Sequence, residues 1–408
     1  PYPAFTTSTM QIESSRKLGL SASQTMRTAQ RLYEGTDIKG ETTGLITYMR
    51  TDSVVMSKEA INQVRGFVID NYGENYLPDS PRVYKSKAKN AQEAHECIRP
   101  TNIYLTPRDI KQYITLEEFK LYEIIWQRAV SSQMASAILD QVAVDITNKD
   151  KKIVLRANGS TIKFPGMYKV YQEAKDDDKD EEKETILPVM NEGDKLNLKE
   201  VIKNQHFTMP PPRYTEASLV KKLEELGIGR PSTYASIIKV LQDRDYVILD
   251  KKRFNPHDRG RIVSIFLEKY FNQYVEYDFT ADLENQLDEI SDGKLDWKEV
   301  LRNFWETFKQ LCDDTVGKSN REVIDVLDDA LGAHFFPPEG KDESRKCPTC
   351  ENGRLGIKVG KFGGFIGCSN YPDCKYTVQF NQLNDKDGKS LSGPKEIGIY
   401  PETNEMIT

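Results

Sequence analysis

The sequence has neither the long apolar run of a membrane protein nor the leader of a secreted one. Its 408 residues contain no run that approaches the ~18 apolar residues of a membrane-spanning helix, and no basic-then-apolar leader opens the chain. We therefore expect a cytoplasmic protein. The chain begins with Pro1 rather than Met, which indicates a processed product or a fragment, so an upstream part is expected to be missing.

Cysteine is also scarce. Six cysteines in 408 residues are too few for a disulfide scaffold, which favours a reducing compartment. Cys97 and Cys312 stand alone in the sequence, and we expect them to act as small buried apolar residues. The other four lie together near the end of the chain.

Positive charge is not in excess, since the net charge is −6. The run 175–184 alone carries 3 basic and 7 acidic residues and is expected to be a solvated loop. Residues 213–261 hold 11 basic and 7 acidic residues, and residues 345–376 hold 6 and 2. This segregation permits polyanion binding by particular patches, although ordinary solvated faces explain it equally well.

Length and pattern predict a multidomain α+β protein. With 38% hydrophobic residues the chain can form real cores, and 408 residues correspond to about two to four domains. The helix, turn, helix, strand and basic loop after the proline linker are typical of a winged helix-turn-helix. The predicted boundaries are a mainly helical domain 1–134, a β-rich antiparallel segment 135–208, a winged-helix-like domain 209–333, a linker 334–344, a cysteine module 345–380 and a tail 381–408.

Periodicity and capping residues predict the local elements. Ser23 and Ser57 are expected to cap helices, and an Asn158-Gly159 turn is expected to join two strands. The predicted strands are 44–50, 141–147, 152–156, 160–164, 194–199 and 246–249; the predicted helices include 116–134, 218–226 and one that carries 234–241, with a basic loop at 251–261.

The late cysteines have the spacing of a metal site. They form C-x2-C-x17-C-x5-C, which matches four thiolates around a structural Zn²⁺, with disulfides as the alternative. A module of ~35 residues has too small a core to stand alone, so the metal would supply its folding energy. Phe365 and Tyr371 lie among cations and suit stacking of unpaired bases at ~1–3 kcal/mol per base, although packing of the small core is an equal alternative. The four cysteines are Cys347, Cys350, Cys368 and Cys374.

A short β-prone segment carries a possible nucleophile. In a strand over 44–50, Tyr48 and Arg50 would share one face because side chains alternate. A phenol with a pKa of ~10 is a poor nucleophile at neutral pH, and a neighbouring guanidinium can favour its phenolate and bind a phosphate oxygen. By itself this pair is weak, because most of the 20 tyrosines are expected to serve packing.

The segment TYMRTDS at 47–53 resembles the active-site segment of bacterial type IA DNA topoisomerases. Four further segments resemble that family's motifs in the same order along the chain. They are FTTST at 5–9, QEAHECIRPT at 92–101, PRYTEAS at 212–218 and GIGRPSTYASII at 227–238, followed by the cysteine module, which resembles the family's C-terminal zinc ribbons.

The resemblance implies a mechanism. Tyr48 would attack single-stranded DNA and form a 5′-phosphotyrosine, and strand passage and religation would relax negative supercoils without ATP. Arg50 would hold the scissile phosphate and His95 would contact DNA beside it. Arg230 and Thr233 would bind the DNA backbone where a helix begins. Asp52 is expected to orient Arg50 or to cap the following helix. Residues 1–134 would be the gate domain, and residues 135–208 part of the arch.

The resemblance also implies an upstream Toprim domain whose carboxylates bind Mg²⁺, and we expect these 408 residues to begin after it. Neither residues 176–178 nor the group Asp325, Asp328 and Asp329 resembles a replacement. We therefore expect the chain to bind single-stranded DNA and to cleave it weakly or not at all. A monomer in the bacterial nucleoid, with RNA polymerase as a partner of its C-terminal region, is implied at family level. The tail 381–408 is interpreted as the start or remnant of another C-terminal module.

Three other interpretations stay open. A non-enzymatic single-stranded nucleic-acid-binding protein with a zinc ribbon would leave Tyr48 unused. A type IA decatenase or a reverse gyrase relative would share the tyrosine segment. A transcription factor would explain the helix-turn-helix and the zinc, but it would leave the tyrosine and histidine motifs without a role.

Overall fold

The fold is described from a computed structural model, which describes residues 1–85, 95–174, 190–205, 207–208, 210–336, 345–350, 352–360, 363–380, 398–399 and 406–407. The chain divides into two units, residues 1–240 with 250–254 and residues 241–249 with 255–408. Helices and antiparallel strands occur in both, so the predicted α+β class is confirmed. Within the described ranges, every helix is too short or too polar to cross a lipid bilayer.

The first unit is mainly helical. Ser57 caps its third helix as predicted, because its Oγ accepts a hydrogen bond from the Ala60 N–H at 3.2 Å. The prediction of Ser23 as a cap is wrong. Ser21 takes that role, accepting from the Gln24 N–H at 3.2 Å while the Gln24 side chain accepts from Ser21 N–H at 3.0 Å. The helices are α1 Thr7–Glu13, which continues into a π-helical turn Ser14–Leu18, α2 Ala22–Glu34, α3 Lys58–Tyr72, α4 Pro107–Ile110, α5 Leu116–Ser132, α6 Glu216–Leu226 and α7 Tyr234–Asp243, which ends just beyond the boundary of the unit.

One apolar core holds α2, α3 and α5 together. Helix α5, observed two residues shorter than predicted, contributes the fully buried Leu121 and Ile125. Leu32 of α2 and Val68 of α3 lie in the same cluster. Each buried aliphatic side chain of this kind contributes ~1.5–3 kcal/mol. The core therefore fixes the helices between which the tyrosine segment runs.

The strands of the first unit form two separate hairpins. The strands β1 Thr36–Ile38 and β2 Glu41–Thr43 pair with each other, as do β3 Ile138–Thr147 and β4 Val154–Phe164. The predicted Asn158-Gly159 turn is wrong, because both residues lie inside β4 and pair with Ala143 and Val142. The predicted strand 194–199 is also absent, since those described residues have no regular structure. The acidic run 175–184 lies outside the described residues.

After α7 the chain enters the second unit. The strands β5 Val247–Asp250 and β6 Arg253–Pro256 follow, so the predicted basic loop 251–261 is wrong: it contains β6 and the start of the next helix. The order of α6, turn, α7, β5 and β6 agrees with the winged-helix pattern, and the domain assignment stays a prediction. The remaining helices are α8 Asp258–Tyr270, α9 Asn272–Val275, α10 Tyr277–Ser291, α11 Trp297–Val316 and α12 Asn320–Phe335.

The cysteine module packs on α12 within the second unit. Its strands β7 Leu355–Gly360, β8 Gly363–Cys368 and β9 Thr377–Val378 form one antiparallel sheet, and a short pair, β10 Gly398–Ile399 with β11 Met406–Ile407, follows. Leu331 and Phe335 of α12 are buried in the same cluster as Ile366 of β8. Helix α12 therefore includes the first residues of the predicted linker 334–344; residues 337–344 of it lie outside the described residues, as does most of the tail 381–408.

Candidate active site and zinc centre

The segment around Tyr48 is an irregular loop, not the predicted strand. Within residues 44–50 the only β-type backbone pairing is an isolated bridge between Ile46 and Pro100. The argument that alternation places Tyr48 and Arg50 on one face therefore does not apply. Leu45, Ile46 and Met49 are nonetheless almost completely buried, so the loop is anchored by its apolar side chains.

A single hydroxyl at the start of α1 holds one side of this loop. Thr7 Oγ1 donates to the Met49 carbonyl at 2.7 Å and accepts from the Thr51 N–H at 2.9 Å. The Thr7 N–H in turn donates to the Thr51 carbonyl at 2.9 Å. The FTTST segment thus contacts the tyrosine segment directly. It satisfies backbone groups of that segment that would otherwise need hydrogen bonds from a neighbouring strand.

The segment that follows His95 holds the other side. Thr47 N–H donates to the Arg99 carbonyl at 2.9 Å, and Thr47 Oγ1 donates to the Cys97 carbonyl at 2.7 Å. Ile98 N–H donates to the Phe5 carbonyl at 2.8 Å. Three segments that are distant in sequence, 5–9, 47–53 and 95–101, therefore meet at one place.

The ring of Tyr48 lies between two other rings. The centroid of His95 is 5.0 Å away at an interplanar angle of 35°, and that of Tyr33 is 5.4 Å away in an edge-on arrangement of 69°. Tyr48 is half-buried. The two neighbouring rings therefore orient its ring, while part of its side chain stays accessible to solvent. His95 Nδ1 is buried and has no hydrogen-bond partner among the described residues. This nitrogen is a polar atom close to the phenol that a ligand could satisfy.

Arg50 and Asp52 occupy different environments. Arg50 is exposed and makes no ion pair within the described part of the chain. Asp52 is half-buried and does engage another group. It does not cap the following helix, as one reading of the sequence held, because Ser57 caps α3. An exposed guanidinium two residues from the phenol is placed to meet an anionic ligand.

Glu96, which follows His95 in the chain, bonds to Arg99 and Ser57. Its Oε2 accepts from Arg99 Nε at 2.7 Å and from the Ser57 N–H at 3.2 Å. Partial burial alone would raise the pKa of this carboxyl, but the bonds from Arg99 and Ser57 outweigh it and hold the pKa below its usual value.

Cys97 is buried as predicted. Its side chain has no exposed surface, and burial raises the pKa of the thiol to about 12. A thiol in this state is unreactive at neutral pH. Cys97 therefore contributes packing and a backbone carbonyl to the site, not chemistry; Cys312 is half-buried on α11.

The turn between α6 and α7 holds Arg230 and Thr233 against each other. Thr233 Oγ1 accepts from the Arg230 N–H at 2.8 Å, and the Thr233 N–H donates to the Arg230 carbonyl at 2.8 Å. Helix α7 begins only at Tyr234. The N–H groups of these two residues are therefore both used inside the turn, before the helix begins. Arg230 Nη1 also donates to the carbonyls of Gly227 and Gly229, which fixes the guanidinium.

The four late cysteines converge and could hold a metal ion. The Sγ atoms of Cys347 and Cys374 are 3.7 Å apart, those of Cys350 and Cys368 are 3.6 Å apart, and all four lie within 4.8 Å of one another. Tetrahedral Zn–S bonds of about 2.3 Å require an S–S distance of about 3.8 Å, whereas a disulfide requires about 2.05 Å. The donor set therefore fits a structural Zn²⁺, as predicted, and the disulfide alternative is wrong.

The surroundings of the sulfurs also suit a metal. Asn370 directs its backbone N–H at Cys368 Sγ (3.4 Å) and its side-chain amide at Cys350 Sγ (3.6 Å), as donors around thiolate ligands do. Gly353 is required here, because a Cβ at this position would lie 2.2 Å from Cys368 Sγ.

The predicted stacking residues of the ribbon differ in exposure. Tyr371 is 72% exposed, whereas Phe365 is half-buried and pairs across the sheet with Lys358. An exposed aromatic side chain can stack on a base.

Tyr33 is a part of the site that the sequence does not predict. It is 40% exposed at the end of α2, and its ring packs on Tyr48. Nothing in the local pattern indicates this contact. The role of Thr7, by contrast, was signalled by the FTTST motif.

Comparisons with known proteins agree with this arrangement. A family model described as DNA topoisomerase matches residues 1–302, and one described as topoisomerase DNA binding C4 zinc finger matches residues 344–382. The chain is 54% identical over 399 residues to "DNA topoisomerase 1" of Rickettsia felis, which covers 97% of this chain and 51% of that protein. It is 49% identical to "DNA topoisomerase 1" of Zymomonas mobilis, covering 99% of this chain and 33% of that one.

A solved structure, full-length topoisomerase I from Thermotoga maritima, matches with a TM-score of 0.69 at 33% identity and covers 93% of this chain and 57% of that chain. The fold, the tyrosine loop and the four-cysteine ribbon thus define a DNA topoisomerase, and the chain belongs to that family. Within it, the chain is a member of the bacterial type IA group, topoisomerase I. It spans about half the length of the curated Rickettsia relatives that it matches.

Proposed function

We propose that Tyr48 is the nucleophile of a type IA topoisomerase reaction on single-stranded DNA. The phenolate oxygen attacks the scissile phosphorus, the bond from phosphorus to the 3′ oxygen breaks, and the 3′-hydroxyl leaves with a proton. The product is a 5′-phosphotyrosine. Because this ester keeps a reactive bond, the 3′-hydroxyl can attack it after strand passage and restore the DNA without ATP. The observation that carries the proposal is the convergence of three separate segments on the loop of Tyr48.

The neighbouring side chains have separate proposed roles. Arg50, exposed two residues from the phenol, holds and polarises the scissile phosphate. His95, whose buried Nδ1 has no partner among the described residues, contacts DNA beside that phosphate. Asp52 orients Arg50.

DNA outside the scissile position has two proposed contacts. Arg230 and Thr233 bind the backbone through the guanidinium and hydroxyl of the turn, and Tyr371 and Phe365 of the ribbon stack on unpaired bases. A monomer in the bacterial cytoplasm, acting at the nucleoid, is consistent with this substrate. RNA polymerase stays a proposed partner of the C-terminal region.

Magnesium would be held elsewhere. Among the described residues, the four cysteines form the one cluster able to ligate a metal, and Asp328 is instead bound to Arg345 and to the Ile357 N–H. We propose that a Toprim domain, as in the family, supplies the Mg²⁺ carboxylates. Bound there, the ion would neutralise charge near the scissile phosphate. This chain alone is therefore expected to bind single strands and to cleave them poorly.

The test uses a single-stranded oligonucleotide labelled at its 3′ end, incubated with Mg²⁺ and run on a denaturing gel. The chain alone, the chain with a separately made Toprim fragment, and the Tyr48→Phe variant with that fragment are compared. Label linked to protein only when both Toprim and Tyr48 are present is the expected result. Tight binding without an adduct under any condition would favour the non-enzymatic binding protein instead.

A further inference from the structure

Helix α6 presents one narrow face to the helices that flank the tyrosine loop. Glu216, Val220 and Glu224 recur every four residues and so lie on one side of the helix. Val220 and the adjacent Ala217 are 1% exposed, so the middle of this side is packed, whereas Glu224 at its C-terminal end is exposed. We call Glu216, Ala217, Val220 and Glu224 the α6 contact face.

The C-terminal end of this face reaches the start of α1. Ser8 Oγ donates to Glu224 Oε1 at 2.6 Å, and the same hydroxyl lies 3.0 Å from Thr6 Oγ1. Thr6 caps α1 through a bond from the Thr9 N–H. Thr7, between Thr6 and Ser8, holds one side of the tyrosine loop. Glu224 therefore fixes the residue next to the one that fixes the loop.

The N-terminal end of the face reaches the start of α2. Glu216 Oε2 accepts from the Ala22 N–H at 2.7 Å, and Glu216 is only 9% exposed. A carboxylate here satisfies an unpaired N–H of the first turn and complements the helix dipole. The far end of α2 carries Tyr33, whose ring packs on Tyr48. The two carboxylates thus contact the starts of both helices that position the phenol.

Helix α6 also leads directly into the turn that holds Arg230. The helix ends at Leu226, Gly227 adopts the left-handed conformation, and the Arg230 guanidinium is fixed by the Gly227 and Gly229 carbonyls. We infer that Glu224 and Glu216 are positioning residues, which couple the proposed DNA-backbone turn to the loop of Tyr48. This inference rests on the proposed function, because it assigns the two residues to that reaction.

The experiment compares Glu224→Leu with two matched variants. Glu224→Gln keeps an oxygen that can accept from Ser8. Glu225→Leu changes the neighbouring exposed residue, which pairs only loosely with Lys222 at 3.9 Å. Oligonucleotide binding and the adduct with added Toprim fragment are measured for each. We expect Glu224→Leu to lower the rate of adduct formation about tenfold at unchanged binding, because small misplacement of a nucleophile is costly, and the two matched variants to stay within about twofold of the parent chain.

Ser8→Ala should reproduce the loss, and combining it with Glu224→Leu should add little, since both remove one contact. Equal adduct rates for Glu224→Leu and Glu225→Leu, or a parallel loss of binding, would overturn the inference.

A second measurement separates this inference from the proposed function. Hydrogen exchange of the Thr51 N–H, which Thr7 Oγ1 accepts, requires no catalysis. Glu224→Leu should speed it about tenfold in this chain, and Glu225→Leu should leave it unchanged. If the parent chain forms no adduct at all, the proposed reaction is wrong. Exchange of the Thr51 N–H would still show whether α6 positions the loop of Tyr48. Unchanged exchange in Glu224→Leu would show that α6 does not position the loop.

Discussion

Single hydroxyl groups fix the loop that presents Tyr48. Thr7 and Thr47 each bond two backbone groups across segments that are more than 40 residues apart in sequence. Such short side chains leave little freedom to the atoms that they hold. The geometry of the phenol therefore depends on residues that never contact it.

Replacing Thr7 with Val tests this dependence. Valine fills the same volume but leaves the Met49 carbonyl and the Thr51 N–H without their hydroxyl partner, at a position where Thr7 is fully buried. We expect the free energy of unfolding of the first unit to fall by about 1–3 kcal/mol, measured by urea denaturation. Thr7→Ser keeps the hydroxyl and should retain most of the stability; an equal loss in both variants would assign the effect to packing.

Glu96 predicts a dependence of stability on acid. The pKa of Glu96 is lower in the folded protein than in the unfolded chain. Its contribution to the free energy of unfolding is therefore fully present above the unfolded-state pKa and is lost as the pH falls through the folded-state pKa. Glu96→Gln should therefore unfold more easily than the parent chain at pH 7, and the difference should shrink towards pH 3. Thermal unfolding across this range measures it. A difference that does not change with pH would mean that the charge of Glu96 is irrelevant, and Glu59→Gln, at an exposed position of α3, serves as the control.

At the scale of elements, the sequence predicted most helices and misplaced several strands. Helix α3 was predictable because a capping serine and a four-residue apolar period act within the helix itself. Residues 44–50 looked like a strand because they are β-prone, but their backbone groups are bonded to threonine side chains and to the segment after His95. Asn158-Gly159 reads as a turn locally, and the pairing with β3 overrides that preference.

The candidate site was predictable to a similar extent. The zinc ligands follow from spacing alone, because four thiolates must converge for a small module to fold. Tyr48 was identified through the resemblance of its segment, whereas the contact of Tyr33 with Tyr48 arises from the packing of α2 and has no local signal. The bonds that hold Arg230 and Thr233 to each other arise from the turn that precedes α7 and have no signal in the motif alone.

The turn between α6 and α7 is sensitive to one glycine. Gly229 has φ +81°, and a Cβ there would lie 3.2 Å from side-chain atoms of Tyr234 and Ile237. Gly229→Ala should cost about 1 kcal/mol from the backbone plus the effect of this contact, and should weaken oligonucleotide binding. Gly40→Ala is the matched control, since Gly40 has φ +91° and nothing within 4 Å of such a Cβ. Equal losses of stability in the two variants would show that the contact has no effect.

At the scale of the whole molecule, the zinc site is part of the second unit and does not form an independently folded domain. Asp328 of α12 accepts from the Ile357 N–H of β7 at 2.8 Å and from Arg345 Nη1 at 2.5 Å. Arg345 also lies over the ring of Phe336, 4.4 Å from its centroid. The folding of the ribbon and the folding of α12 should therefore be coupled.

Removal of zinc with a chelator tests this coupling. We expect faster hydrogen exchange in β7, β8 and α12, because the ribbon loses the metal that folds it and α12 loses its covering surface. Helix α5, in the core of the first unit, should not change. Mass spectrometry of peptic fragments measures both, and an α12 that keeps its protection without zinc would contradict the prediction.

The aromatic stack between Phe335 and Phe380, with centroids 4.6 Å apart, has a consequence for how such chains can change by recombination. Phe335 belongs to α12, which precedes the ribbon in the chain, and Phe380 follows β9, the last strand of the ribbon sheet. A crossover between α12 and the first cysteine would join a ribbon from one ancestor to a helix from another, and each ring would meet a partner that had not been selected with it. Ribbons of this kind should therefore be inherited together with the helix that precedes them.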